Sequence, residues 1–243
     1  MDAKRGFVPE DEKYFSQDSI EKMITASGHV CYLLNEGYGL KQATTFVCDH
    51  FLLSERQRLA IMRSVASDQQ LSERKRKQVL LEAVPGKTVW IDGFNTIITL
   101  EVLLSGSTLF ACMDGTIRDL ASLRGTYRVI PETAPAVKLM FDALQEAGAG
   151  KVIILLDEPV SNSGRLKSLM ADIAEENGYA FDLDIRILHD VDREMYQKEL
   201  VITSDSIILD HCVSWVNLTA ECMKREGMRA IQIWQAAGKE AGT

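Results

Sequence analysis

Three aspartates close short apolar runs. Asp92 follows Val89-Trp90-Ile91, Asp157 follows Val152-Ile153-Ile154-Leu155-Leu156, and Asp205 follows Val201-Ile202-Thr203-Ser204. Apolar runs of this length read as buried strands. If the strands are parallel neighbours, all three carboxylates gather at one sheet edge, outside the carboxyl ends of the strands where open α/β sheets bind ligands. Gathered carboxylates repel one another unless something offsets the charge. A hard divalent cation, Mg²⁺ or Mn²⁺, does so with oxygen ligands. One or two such ions activate water and stabilise a phosphodiester transition state. Asp114, after the apolar segment 108–113, is a fourth candidate ligand. Strand-end aspartates also cap following helices, but repetition across three strands favours the acidic site.

The organising stretch is residues 88–98: strand, Asp92, Gly93, Phe94, then Asn95 opening a new apolar segment. By itself it is a turn with Asn95 as a helix cap. Two other nucleotide-site patterns fail. Pro85-Gly86-Lys87-Thr88 ends like a phosphate loop, but the earlier glycine it needs is Leu81, and it precedes a strand instead of opening a helix. Asp114-Gly115-Thr116 matches the end of a phosphatase loop whose nucleophilic aspartate would fall at Cys112. Cys48-Asp49-His50 lacks companion ligands at zinc-site spacing.

Around these residues, the chain from Lys87 alternates strands and helices. Strands are expected at 89–91, 108–113, 151–156, 182–188, 200–203, 213–216 and 229–233. Helices are expected at 96–104, 131–147, 163–177 and 218–225. The alternation predicts a parallel sheet with helices on both faces. Before it, residues 16–79 read as helical: one helix to Leu34, stopped by Asn35-Glu36-Gly37; a second over 41–51; a third capped by Ser54; and a short charged helix or linker at 72–81. Pro85-Gly86 marks the boundary. The fold class is therefore α/β, with a small all-helical domain at 1–84 before a parallel-sheet domain at 85–243.

Arg56, Arg58, Arg63, Arg74, Lys75, Arg76 and Lys77 oppose Glu55, Asp68 and Glu73 within residues 55–77, a local +4. The chain totals −8, so the remainder sums to −12. The segment is either a phosphate-binding surface or a solvated helix face with a charged linker. The net charge argues against wholesale coating of nucleic acid, though not against a local patch. Five cysteines without Cys-x-x-Cys spacing read as reduced core residues of a cytoplasmic protein. A charged start without an apolar signal region, and no long apolar run, predict no membrane span.

Ile91-Asp92-Gly93-Phe94-Asn95 resembles the opening Asp-Gly-(Tyr/Phe)-Asn motif of NYN-type nucleases in the PIN-like superfamily. Thr203-Ser204-Asp205 resembles the (Thr/Ser)-x-Asp that ends a later strand there. The similarity spans about residues 87–235. It implies a PIN-like three-layer domain, RNA as substrate, and Asp92, Asp157 and Asp205 as ligands of Mg²⁺ or Mn²⁺. Asn95 would orient a ligand or the attacking water. The helical half resembles the DUF434 type through Tyr32-Leu33-Leu34-Asn35-Glu36-Gly37-Tyr38 and Ser54-Glu55-Arg56-Gln57-Arg58. The second half resembles the DUF5616 type through Asp114-Gly115-Thr116-Ile117-Arg118-Asp119 and Leu123-Arg124-Gly125-Thr126-Tyr127. Neither brings an activity with it. Segment 114–127 departs from NYN proteins where a second acidic ligand is often found, so Glu101, Asp114 and Asp119 compete for that role. Arg124 meets a phosphate or pairs with Asp119.

The expectation is a divalent-metal-dependent ribonuclease whose basic helices grip the RNA backbone. The alternatives are a non-catalytic RNA- or nucleotide-binding protein and an adaptor using the helical domain. A homo-oligomer is compatible with each.

Overall fold

The helical half forms where the sequence supplies caps and apolar stripes. The computed structural model describes residues 4–121 and 125–235. Helix α1 (Asp11–Tyr14) precedes α2 (Gln17–Asn35), α3 (Leu40–His50), α4 (Glu55–Ser64) and α5 (Asp68–Lys77). The Ser54 hydroxyl caps α4 while the Ser54 backbone N–H donates to the Gln57 side chain, and Ser67 caps α5 with Gln70 in the same way. Each capping box satisfies backbone N–H groups that a helix start leaves unpaired. The Ser67 cap starts α5 earlier than the charge pattern suggests, at Asp68 instead of 72. Met23, Val30, Val47 and Ile61 form the core of this half.

The chain then alternates: β1 (Gln78–Val79), β2 (Thr88–Asp92), α6 (Gly93–Leu104), β3 (Leu109–Ala111), β4 (Ile117–Asp119), α7 (Thr133–Glu146), β5 (Lys151–Asp157), α8 (Ser163–Asn177), β6 (Asp182–Leu188), α9 (Val191–Met195), β7 (Val201–Ile202), α10 (Ser206–His211), β8 (Trp215–Val216) and α11 (Leu218–Arg225). Six strands form one sheet in the order β1-β8-β7-β2-β5-β6, and all its pairs are parallel. The predicted α/β class with a parallel sheet is correct.

Strand β5 shows why its run is uninterrupted. Val152, Ile154 and Leu156 enter the core shared with α6, α7 and α8. Ile153 and Leu155 enter a second core with Val191, Met195, Ile208 and Leu209 of α9 and α10. Alternate side chains of a strand face opposite sides, so a strand covered on both faces must be apolar throughout.

Two expected strands differ. Residues 108–113 do not join the parallel sheet; β3 pairs antiparallel with β4 as a separate hairpin. Phe110 and Leu120 of this hairpin region pack into the helical core with Ile233. Segment 229–233 makes an isolated bridge, Ile231 to Phe110, instead of a strand. In the other direction, β1 lies before residue 85 yet forms the outermost strand of the sheet, beside β8. No helix among the described residues is long and apolar enough to cross a membrane.

Candidate acidic site and adjoining cavity

The chain leaves β2 and enters α6 without a loop, so Asp92 is both the last strand residue and the helix cap. Its carboxylate accepts from the Asn95 backbone N–H at 3.4 Å. The expected cap, Asn95, lies within the first turn of the helix instead. A Cβ at Gly93 would stand 2.8 Å from the Leu155 carbonyl oxygen. Only glycine lets α6 start this close to β5.

Strands β2, β5 and β6 run outward to one side, and the chain then returns to place β7 on the other side of β2. The order in which strands are added therefore reverses between β2 and β7, although the strands stay parallel. At such a switch point the following helices diverge to opposite faces and leave a crevice. Asp92 stands on one side of it and Asp205 on the other. Asp157 ends β5, the next strand along. After β6, the last in the row, the chain reaches Asp190, which caps α9, and Asp192. Four neighbouring strands thus bring acidic residues to one edge. Asp190 and Asp192 were missed in the sequence because they lie in a loop and a five-residue helix behind His189, not at the end of an apolar run.

Hydrogen bonds fix the inner part of this edge. Thr203 Oγ1 donates to Asp92 Oδ2 at 2.8 Å. The Ser204 backbone N–H and hydroxyl both donate to Asn95 Oδ1, at 3.0 and 2.7 Å. Asp205 Oδ1 caps α10, accepting from the Ile207 backbone N–H at 2.7 Å. Burial pushes the Asp92 carboxyl up to about 8, and the negative charges of Asp205 and Asp157 add to the rise, against the Thr203 bond. Asp157 is raised by burial and by Asp190. Asp192 is raised by burial and then by Asp205, Asp157 and Asp190. These carboxylates sense one another, and no cation among the groups acting on Asp92 offsets them. The set has the all-oxygen chemistry of a Mg²⁺ or Mn²⁺ site. Among the described residues, however, no three acidic, histidine or cysteine side chains are drawn together closely enough to hold an ion.

Asp114 has a different place. It sits in the β3–β4 turn, and its Oδ2 accepts from Arg74 at 2.8 Å and from Arg118 at 2.6 Å. Its Oδ1 accepts from the Thr116 hydroxyl and backbone N–H. Arg118 and Thr116 hold its carboxyl below the ordinary range despite burial, with Arg74 contributing. Its oxygens are committed to arginines, so it is a buried ion-pair residue instead of the expected fourth metal ligand. Glu101 is fully buried and accepts from Arg5 at 2.8 Å, from Tyr127 at 2.6 Å and from Thr133. It too is spent on structure. Asp119 accepts from Thr99 at 2.8 Å and from the Ala121 backbone N–H at 2.8 Å.

The basic residues also divide. Arg56 pairs with Asp11 and binds the carbonyls of Gly6 and Leu120, so it ties the helices to the N-terminal segment. Arg58 pairs with Asp49 at 2.6 Å. Arg74 is only 2% exposed and pairs with Asp114 and Asp210. Lys77 donates to the Leu209 and Asp210 carbonyls. Arg56, Arg74 and Lys77 are thus committed to the fold and not to the expected RNA grip, whereas Arg58 pairs at the surface with the exposed Asp49. Lys75 and Arg76 are exposed. Arg63 is one-third exposed; it bonds the Asp119 carbonyl and pairs with the Asp119 carboxylate at 3.5 Å. Arg124 lies outside the described residues.

Beside the switch point is a cavity of about 320 Å³. Arg63, Asn95, Asp119, Ser204, Asp205 and Ser206 form much of its polar wall, and Leu34, Leu40, Met62, Val65 and Ile98 its apolar wall. Residues from both halves of the chain build it.

The sequence profile of DUF5616, a domain of unknown function, matches residues 81–221. That of DUF434, a protein of unknown function, matches residues 22–77. The uncharacterized protein MJ0935 of Methanocaldococcus jannaschii is 34% identical over 208 residues, covering 85% of this chain and 97% of the relative. No solved structure matches the chain. The acidic edge and most of the sheet fall within the longer match, which spans more than half of the sequence, and on that basis the chain belongs to the DUF5616 family.

Proposed function

We propose that this protein is a divalent-metal-dependent ribonuclease with a PIN-like α/β domain. The observation that supports this most is the row β7-β2-β5-β6, which brings Asp205, Asp92, Asp157 and Asp192 to one edge at a topological switch. Asp92, Asp157 and Asp205 would hold Mg²⁺ or Mn²⁺, which would supply an activated water and offset charge on a phosphodiester. The protein's own part is positional. Thr203 fixes the Asp92 carboxylate, and Ser204 fixes the Asn95 amide. Arg63 places a cation at the neighbouring cavity. Lys75 and Arg76 present charge to solvent for the RNA backbone.

A second reading is an RNA- or nucleotide-binding protein that keeps this sheet without cutting. It is favoured by the spacing of the carboxylates, which do not form a ready ligand group. Calorimetric titration with Mn²⁺, coupled to cleavage of mixed single-stranded RNA, separates the two. The ribonuclease reading expects metal binding and cleavage by the native chain, both lost in Asp92→Asn. Metal-free behaviour with RNA binding intact supports the second reading and sinks the first.

A further inference from the structure

The cavity beside the switch point has two unlike walls and an unusual charge balance. Arg63, Arg74 and Arg118 border it, yet each is already paired, Arg63 with the Asp119 carboxylate at 3.5 Å. Arg74 is bonded to Asp114 and Asp210. Arg118 is bonded to Asp114 and to the carbonyls of Ser204 and Arg63. With Asp119 and Asp205 also on the wall, four carboxylates surround three guanidinium groups. A phosphate would enter against that balance. An uncharged, flat group with its own donors and acceptors would not.

The remaining polar groups suit such a guest. Both Ser204 bonds go to Asn95 Oδ1, which fixes the amide orientation and leaves the Nδ2 hydrogens facing away from them. Neither hydrogen has a partner among the described residues. Asp205 spends Oδ1 on its helix cap and keeps Oδ2 as an acceptor. Arg63 is one-third exposed and engages Asp119 through Nη1 alone, so its Nε and Nη2 remain as donors at the cavity. Met62, Val65 and Ile98 also line the cavity, an apolar surface for a ring. A volume of about 320 Å³ is at the lower end for small-molecule sites. It is ample for one base.

We propose that this cavity receives a single unstacked nucleobase of RNA, with the attached phosphate left outside at the acidic edge. The inference rests on the ribonuclease reading for its substrate, and it adds that the substrate is single-stranded at the site of action. Asn95 and Asp205 belong to both the cavity and the edge, so a base held there puts its own sugar-phosphate at the strand ends. Because the helical half supplies Leu34, Leu40, Met62 and Val65 and the sheet half Asn95, Ile98 and Asp205, base selection requires both halves of the chain.

The test uses the full chain in EDTA, titrated by calorimetry with adenosine, guanosine, cytidine and uridine, their 5′-monophosphates, and inorganic phosphate. At least one nucleoside should bind, its monophosphate should bind within roughly 3-fold of it, and inorganic phosphate should not compete. Filling the cavity by Met62→Trp or Ile98→Trp should weaken binding by about 10-fold or more. Circular dichroism checks that each variant folds, and Arg63→Met at the partly exposed rim provides a milder third case. Absence of nucleoside binding, displacement by phosphate, or native affinity in a folded cavity-filling variant would overturn the proposal. Nucleoside binding in EDTA without RNA cleavage in Mn²⁺ would uphold the base pocket and defeat only the cleavage reading. Cleavage that is unaffected by filling the cavity would do the reverse.

Discussion

Thr203 and Asp92 are 111 residues apart in sequence, and a 2.8 Å hydrogen bond joins the hydroxyl of one to the buried carboxylate of the other. The bond crosses from the end of β7 to the end of β2, the two strands that flank the switch point. The same Thr203 oxygen accepts from the Asp205 backbone N–H at 3.0 Å. One hydroxyl therefore sets the positions of both aspartates. Thr203→Val keeps the shape and removes both bonds. It should cost about 1–3 kcal/mol in urea denaturation and raise the Asp92 titration further, as read by carboxyl-carbon NMR. An unmoved titration would mean that the bond does not act on the ionised form.

Stability should fall as pH rises through neutrality. In the unfolded chain Asp92 titrates near its ordinary 3.8; in the fold it is pushed up to about 8. The unfolded chain therefore releases its proton first, and each step upward favours it. The contribution of neutral Asp92 is whole below about pH 4 and is lost progressively up to about pH 8, by a few kcal/mol. Asp157 and Asp192 are raised as well, so they act in the same direction. Asp92→Asn should flatten the curve and be more stable than the native chain at pH 9. A pH-independent native curve between 5 and 9 would contradict this.

Asp114→Asn should destabilise far more than Asp157→Asn. Removing the Asp114 charge leaves Arg74 and Arg118 buried around a neutral group, a change that costs about 3–5 kcal/mol where one partner of a buried pair is lost. Asp157 has no basic partner in an ion pair among the described residues, and its neutral variant should be no less stable than the native chain. Thermal melts of the two variants side by side give the ranking.

Lys75→Ala with Arg76→Ala should weaken RNA binding while leaving the melting temperature unchanged, because both side chains are exposed. The slope of log affinity against log salt should fall by roughly 0.7 for each phosphate that is no longer neutralised. Equal affinity at every salt concentration would make this pair an ordinary solvated helix face. Arg74 is unsuited to such a test, since its removal acts on folding.

The strand-end aspartates are legible because β2 and β5 are apolar runs, and the first polar residue after such a run marks the sheet edge. The same rule misplaces Asp114. Its preceding run is apolar because Phe110 packs into the helical core, a burial unrelated to the sheet, and a six-residue run carries no mark of which core it enters. The Arg74-Lys75-Arg76-Lys77 run looks uniform for a similar reason. Helical geometry turns each residue by about 100°, so Arg74 faces α10 while Lys75 and Arg76 face solvent, and charge alone does not distinguish them. The start of α5 was within reach of the sequence, since Ser67 followed three residues later by Gln70 is a capping-box spacing. Asp192 and the cavity depend on contacts between distant segments, which periodicity does not encode.

The exchange of segments between the two halves has a mechanical meaning. Gln78 and Val79 leave the helices to become the rim of the sheet, and the β3–β4 hairpin leaves the sheet region to fill the helical core. Trp215, beside β1, also donates its indole N–H to the Arg74 carbonyl at 2.8 Å. Each half is thus clasped by a piece of the other. A hinge that swung the helices away would have to peel a strand and withdraw a hairpin together. The two halves are thereby braced against parting as rigid bodies, and the mouth of the crevice is shaped by both.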